Sequence, residues 1–213
     1  MKESLSKEDL VRVMFSLADD MIAAKDRLTE LDAIIGDGDL GVTMVLGFQA
    51  VKESLANPTA LNLPEVLKRS GMAFADKAAS TFGTLTATMF MKAGDVLKGK
   101  EAIGAPELAA ILRAAAEGVQ KRGKAGAGDK TVLDALIPAA TVAEEAAVAG
   151  KPLSVCLREA LEAAQKGAES TVKMRSAAGR AAHFGDRTVG VKDAGAAAFE
   201  LMLGSVARTV GSL

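Results

Sequence analysis

Apolar residues recur along this chain at the spacing of a helix face and nowhere settle into the alternation of a strand. Leu10, Met14, Leu17, Met21 and Leu28 fall three, four and seven residues apart, which puts them on one side of a helix. Ser6, with Asp9 three residues on, marks the start in the manner of a capping box. The first helix is predicted from Lys7 to Leu31, delivering Asp32 at its C-terminal end. A second begins after Gly41, carries Met44, Val45, Phe48, Val51 and Leu55, and ends at Asn57-Pro58-Thr59. Pro64 and Pro106 stand where first-turn prolines belong and open helices at Glu65 and Glu107. Further helices fit Thr84 to Leu97, Lys130 to Val148, Pro152 to Val172 and Ala194 to Val210. No period-two segment of useful length competes with them. The expectation is an all-α bundle of about eight helices with short connections.

Four connections are rich in glycine or polar residues: 36–41, 79–84, 123–131 and 178–195. They follow the predicted helices one, three, five and seven, so in an up-and-down bundle all four meet at one end. No repeat, charge block or low-complexity linker divides the chain, and residues 1–213 read as one domain.

The first of these connections is the most chemically loaded. Asp32, Asp37 and Asp39 lie within eight residues, with Gly36, Gly38 and Gly41 between and after them. Three bare carboxylates in a small volume repel one another unless a cation resolves the conflict. A hard cation with oxygen ligands fits, Mg²⁺ above all, and Mg²⁺ usually brings phosphate oxygens with it. The segment also spells G-x-G-x-x-G, but a helix precedes it rather than a strand, and its aspartates would face the phosphates; a dinucleotide fold is rejected. It fails as an EF-hand because Gly41 and Phe48 stand where acidic ligands are needed.

Gly123-Lys124-Ala125-Gly126-Ala127-Gly128-Asp129-Lys130-Thr131 approaches a P-loop, but Asp129 displaces the lysine and no parallel sheet is at hand. Two readings stay open there: part of a nucleotide site, or a flexible connector closed by an Asp129 N-cap. The segment from Arg175 to Gly195 is dense in Arg and Gly, and arginines suit phosphates through their donor fork. A loop of that length without secondary structure of its own is more often functional than decorative. His183, the sole histidine, is read as half-buried rather than catalytic, and Cys156, the sole cysteine, as a small core residue.

Composition narrows the classes further. Net charge is −1, so no basic field marks the chain for nucleic acid or a membrane surface. Trp and Tyr are absent, which removes aromatic base stacking as the main binding mode. The polar start Met1-Lys2-Glu3-Ser4-Leu5 has no signal core, no membrane-spanning run is present, and one cysteine permits no internal disulfide. Cytoplasmic residence is the expectation.

Taken together, these segments resemble one family, the nucleotide-binding L subunit of dihydroxyacetone kinase and the equivalent C-terminal domain of single-chain glycerone kinases. Leu31-Asp32 through Asp39, then Gly41 and Met44, match its metal motif. Arg122-Gly123-Lys124, then Gly128 to Thr131, Asp134 and Pro138, match its second signature. Gly179-Arg180-Ala181, Gly185, Arg187, Gly190, Asp193 and Gly195 match its third. The resemblance spans essentially the whole chain. It implies a barrel of eight antiparallel helices with a nucleotide pocket at one end. It implies that Asp32, Asp37 and Asp39 hold two Mg²⁺ ions gripping the phosphates of ADP or ATP. By the same match Gly41 and Thr43 lie at the phosphates, Gly123 and Val132 lie near the adenine, and Arg180, Asp193 and Gly195 complete the pocket; Ser80, Thr81 and Gly83 are the remaining loop contacts, and Leu40 and Val42 are counted with the nucleotide-binding residues although Leu40 brings no phosphate contact of its own. The ketone is implied to sit on a histidine of a separate K-type partner, and the donor is either free ATP or a bound ADP recharged by an M-type phosphotransferase-system protein. A homodimer stays open. Two departures stand out: Leu40 replaces the usual His or Cys, and Ala79-Ser80-Thr81-Phe82-Gly83-Thr84 replaces a small glycine-rich loop. Alternatives are a non-catalytic nucleotide-sensing regulator, or a kinase subunit for another small ketose.

Overall fold

A computed structural model describes residues 2–213, and Met1 of the polar N-terminal stretch lies outside them. Among the described residues nine α-helices form: α1 Lys7–Ala23, α2 Lys25–Ile35, α3 Leu40–Ser54, α4 Leu63–Lys77, α5 Thr81–Val96, α6 Ala105–Gly123, α7 Leu133–Val148, α8 Leu153–Ser170 and α9 Ala194–Ser212. Short 3₁₀ turns cover Thr171–Lys173 and Arg180–Thr188. Among the described residues there is no strand, only an isolated antiparallel bridge between Leu5 and Ile103 that pins the N-terminal segment to the α5–α6 link. Among the described residues no helix is long and apolar enough to cross a membrane.

The caps follow from sequence chemistry. The Ser6 hydroxyl accepts from the Asp9 N–H at 3.2 Å while the Asp9 carboxylate accepts from the Ser6 N–H at 3.0 Å, so two orphan donors are satisfied reciprocally. Asn62 and Glu65 do the same ahead of Pro64 at α4. Three boundaries differ from expectation by three residues or more, the others by less. The first helix turns at Ala24 into α2, which runs on to Ile35 and carries Asp32 in its last turn. α5 starts at Thr81 rather than Thr84, because the Ser80 hydroxyl accepts from the Gly83 N–H at 3.0 Å. α7 starts at Leu133 rather than Lys130, because Gly128 and Lys130 take left-handed backbone angles, with φ of 90° and 58°. The long loop is not wholly irregular either; its 3₁₀ turns break at Gly185, where φ is 56°.

Packing closes a ring. Each of α3 to α9 packs on its neighbour in sequence, and α1 packs on both α3 and α9. This is the barrel of eight antiparallel helices, with α2 as an added piece against α3. Small residues let the walls approach: Ala135, Ala139 and Ala143 on α7 are fully buried, as are Ala160 and Ala164 on α8. Phe48, Phe74 and Phe90 from α3, α4 and α5 pack edge-on or tilted at 5.1 to 6.3 Å between ring centres. Inside the barrel, Met14, Met89, Phe90, Leu157 and Phe199 line a wholly apolar cavity of about 140 Å³. Cys156 is buried in the core as expected, and burial raises its thiol pKa.

Candidate functional site

An up-and-down ring sends the first turns of α3, α5, α7 and α9 to one end, with the last turns of α2, α4 and α6. The free N–H groups of four helix starts therefore open there, between the carbonyl ends of the other helices, and N–H groups at a helix start can take an anion. At that end lies an open cleft of about 170 Å³, lined from all four polar connections. The convergence counted from sequence is what the structure contains.

Asp32, Asp37 and Asp39 each place a carboxylate oxygen in one cluster, all within 4.8 Å of one another. Asp32 projects from the last turn of α2, and its Oδ2 accepts from the Leu40 N–H at 3.3 Å, tying it to the start of α3. A Cβ at position 36 would stand 2.3 Å from Asp32 Oδ1, so only glycine lets the chain pass this close to the carboxylate. Asp39 occupies the cap position of α3 but makes no capping bond with its side chain. Loss of water around its carboxyl, with the Asp32 charge second, holds its pKa above the usual value. The cluster offers hard oxygen donors in mutual repulsion, which fits a hard divalent cation. Arg180, from the long loop, forms an ion pair with Asp37 across the mouth.

Other expected site residues divide into two groups. Leu40, Ser80, Thr81, Val132, Arg180, Asp193 and Gly195 line the cleft. Gly41, Val42, Thr43, Gly83 and Gly123 do not. Gly41 is buried because a Cβ there would meet Lys25 O and Thr29 Oγ1 at 2.2 Å; it serves the α2–α3 contact. Gly83 similarly abuts the Ala78 carbonyl. The Val42 side chain points out to solvent. Thr43 is buried and donates to the Ser80 hydroxyl at 3.1 Å, joining α3 to α5 behind the cleft. Gly123 is exposed at the end of α6, beside Leu85. His183 is exposed, not half-buried, because the 3₁₀ turn that carries it lies on the surface.

Three features were missed from sequence. Ile35, Phe82 and Leu85 join the expected Val132 in an apolar wall, and Phe82 fits because Gly195 leaves room: a Cβ there would lie 3.0 Å from the ring. Asp134, not Asp129, organises the glycine-rich connection. Its two oxygens accept from the Gly128 N–H at 2.5 Å and the Thr131 N–H at 2.7 Å, while the Asp129 carboxylate accepts from the Gly126 N–H, within its own turn. Lys130 is buried, and its ammonium ends on backbone carbonyls. Its place in the second matched motif was the available signal.

Asp193 caps α9, accepting from the Ala196 N–H at 2.7 Å. Burial pushes its carboxyl up to about 6, the Asp134 and Asp32 charges adding to the shift and the Ala196 bond and Lys130 opposing it. The folded state then holds this proton more tightly than the unfolded chain, so stability from this group falls as pH rises from about 4 to 6. Asp193→Asn keeps a capping oxygen and removes the titration. Thermal melts in EDTA should show the wild type losing ground to the variant across that window; a constant difference would contradict the buried-carboxyl assignment.

Residues 34–208 match the family described as the DAK2 domain. The chain is 32% identical over 200 residues to the PEP-dependent dihydroxyacetone kinase, ADP-binding subunit DhaL, of Escherichia coli (strain K12), covering 94% of this chain and 95% of that one. It is 35% identical over 173 residues to a second such ADP-binding subunit, from Listeria innocua, covering 80% of each chain. It is also 32% identical over 203 residues to the D-erythrulose kinase of Mycolicibacterium smegmatis, of which it spans 35%. Among solved structures, the dihydroxyacetone kinase of C. freundii, also seen in complex with AMP-PNP and Mg²⁺, superposes with a TM-score of 0.73 at 24% identity, over 98% of this chain and 35% of that one; at that identity the likeness speaks for the fold. By fold, motif order and the extent of these matches, this chain belongs to the DAK2-domain family.

Proposed function

We propose that this chain is the Mg²⁺- and ADP/ATP-binding subunit of a dihydroxyacetone-type kinase, a phosphotransferase subunit that passes a phosphoryl group to a small hydroxyketone held by a K-type partner. The observation that carries the reading is the Asp32–Asp37–Asp39 cluster at the end of the barrel where four helix N-termini converge. Asp32, Asp37 and Asp39 would hold the cations, two Mg²⁺ ions in this reading, which when bound supply charge neutralisation at the phosphate oxygens. Arg180 adds a donor fork at the same mouth, and α3 and α5 begin beside it, the end of a helix that favours anions. The Phe82–Val132 wall offers an apolar seat for a base. Phosphoryl transfer depends on positioning and charge more than on protein nucleophiles, which suits a cleft without a histidine or cysteine in its lining.

Matches over nearly the full length of ADP-binding subunits of PEP-dependent kinases favour bound ADP recharged by an M-type phosphotransferase-system protein over freely exchanging ATP. The matches to D- and L-erythrulose kinases favour a ketose acceptor chosen by the partner rather than by this chain. The residence proposed is cytoplasmic. A homodimer would register as twice the chain mass in light scattering.

Calorimetry of ADP with Mg²⁺ and with EDTA tests the reading; binding that vanishes in EDTA is expected, and no binding in Mg²⁺ would sink it. In the same assay Arg180→Ala should weaken ADP binding by about tenfold, in the range of a lost charge-assisted bond. Arg175→Ala should change it little, because Arg175 pairs with exposed Asp186 on the outer side of the loop. Equal effects would refute the role given to Arg180.

A further inference from the structure

Lys130 is a buried cation that the proposed function leaves unused. Its side chain is among the largest that the fold encloses completely, with 1% of the residue exposed. Its backbone holds a left-handed conformation at φ 58°, uncommon for a residue with a side chain. The ammonium has three N–H donors and no acceptor. The Nζ donates to the Met174 carbonyl at 3.1 Å, the Thr188 carbonyl at 2.5 Å and the Val191 carbonyl at 2.6 Å. All three donors are spent on backbone oxygens, and those oxygens belong to the two ends of one loop.

That loop is the one that carries Arg180. Between Met174 and Val191 the chain leaves the barrel, swings Ala178–Ala181 over the cleft and returns through the 3₁₀ turn to α9. Other bonds reinforce the same base: the Ala177 N–H donates to the Asp129 carbonyl at 3.1 Å, the Gly190 N–H to the Val172 carbonyl at 2.7 Å, and the Ser176 N–H to the Thr188 hydroxyl at 2.9 Å. The Asp193 charge lies near enough to favour the ammonium, against the burial that disfavours it. Without a cation, three carbonyl oxygens would converge with their negative ends together and no donor between them. The loop's two ends would then part.

We infer that Lys130 is a positioning residue of the nucleotide site: by binding the carbonyls of Met174, Thr188 and Val191 it fixes the base of the 174–191 loop and thereby sets Arg180 opposite Asp37. Lys130 touches no ligand in this account; it acts through Arg180. The consequence for binding rests on the proposed nucleotide function, whereas the consequence for the loop does not.

The test uses the full chain and two readouts, hydrogen exchange of ligand-free protein and calorimetry of ADP with Mg²⁺. Lys130→Met should speed exchange within residues 174–191, leave the exchange of α4 and α5 as in wild type, and weaken ADP binding by about tenfold or more, the scale of a misplaced positioning group. Lys130→Arg, which keeps a cation but with a wider head, should recover most of both, a rescue that mere loss of packing would not give. Should Lys130→Met fail to fold, Lys130→Arg carries the test, with a smaller change of both readouts in the same direction. Wild-type loop exchange in the variants overturns the inference. So does weakened ADP binding with the loop fully protected. If wild type itself binds no ADP, the functional reading fails, and loop exchange alone still decides the role of Lys130.

Discussion

Replacing Asp37 and Asp39 together by alanine is expected to abolish Mg²⁺-dependent ADP binding while every helix stays folded. Two of the three carboxylates are then gone from a cluster spanning 4.8 Å, and the lone Asp32 cannot hold a hydrated divalent cation against solvent. The loss should be at least about a hundredfold in affinity, on the order of 3 kcal/mol. Stability of the ligand-free protein should not suffer. Both side chains are exposed on the link between α2 and α3, so their truncation opens no cavity. Asp39 makes no side-chain bond to the α3 N-terminus, so no cap is lost. The Asp37–Arg180 pair is more than a third exposed on both sides and contributes little. Removing Asp39 also relieves the repulsion with Asp32 that raises its pKa. The check is a pair of melting curves. In EDTA the variant should melt at or slightly above wild type. With Mg²⁺ and ADP at about a hundred times the dissociation constant, wild type should gain roughly 2.7 kcal/mol and the variant nothing. EDTA-sensitive binding retained by the double variant would remove the cluster from the mechanism.

Phe74→Ala should produce the largest loss of stability in the barrel wall, about 3 to 5 kcal/mol. A domain of this kind has only about 5 to 15 kcal/mol to lose. Phe74 is fully buried where α4 packs between α3 and α5. Its ring meets Phe48 edge-on at 5.1 Å and Phe90 at 6.3 Å. It also lies directly over Gly47, where an added Cβ would come within 2.3 Å of the ring. The alanine variant leaves a void that three helix backbones cannot collapse into without moving. Urea unfolding at constant pH measures the loss. ADP binding should persist at low temperature, because Phe74 is not among the residues that line the cleft. A change below about 1 kcal/mol, the range of an ordinary substitution, would mean that the aromatic trio is not the anchor of that wall.

Much of this was legible in the chain. Helical spacing and the scarcity of alternation gave helices throughout, and Ser6 with Asp9 and the paired prolines marked where several begin, because caps are local chemistry. The close spacing of the three aspartates was legible too, and the structure brings a carboxylate oxygen of each within 4.8 Å of the others. The end at which the connections meet followed from counting helices. Other features were out of reach. Lys130 sits in a glycine-rich segment that gave it no role of its own, yet its ammonium ends on the carbonyls of residues 44 to 61 positions away. The sequence offered Asp129 as the cap and put Asp134 inside the helix that follows; the left-handed turns at Gly128 and Lys130 delay that helix to Leu133 and leave the holding to Asp134.

The glycines show the division most clearly. Sequence alone determined that this chain would be a helical bundle with its acidic and basic connections at one end, since periodicity, caps and charge are properties of residues near one another in the chain. It did not determine what each missing side chain makes room for. At Gly36 the space belongs to the Asp32 carboxylate, at Gly195 to the Phe82 ring, at Gly41 to the Lys25 carbonyl and the Thr29 hydroxyl, and at Gly83 to the Ala78 carbonyl. The tertiary structure decided between those roles, because a glycine records only that a Cβ is unwelcome, and the atom that excludes it comes from whichever element the closed ring brings alongside.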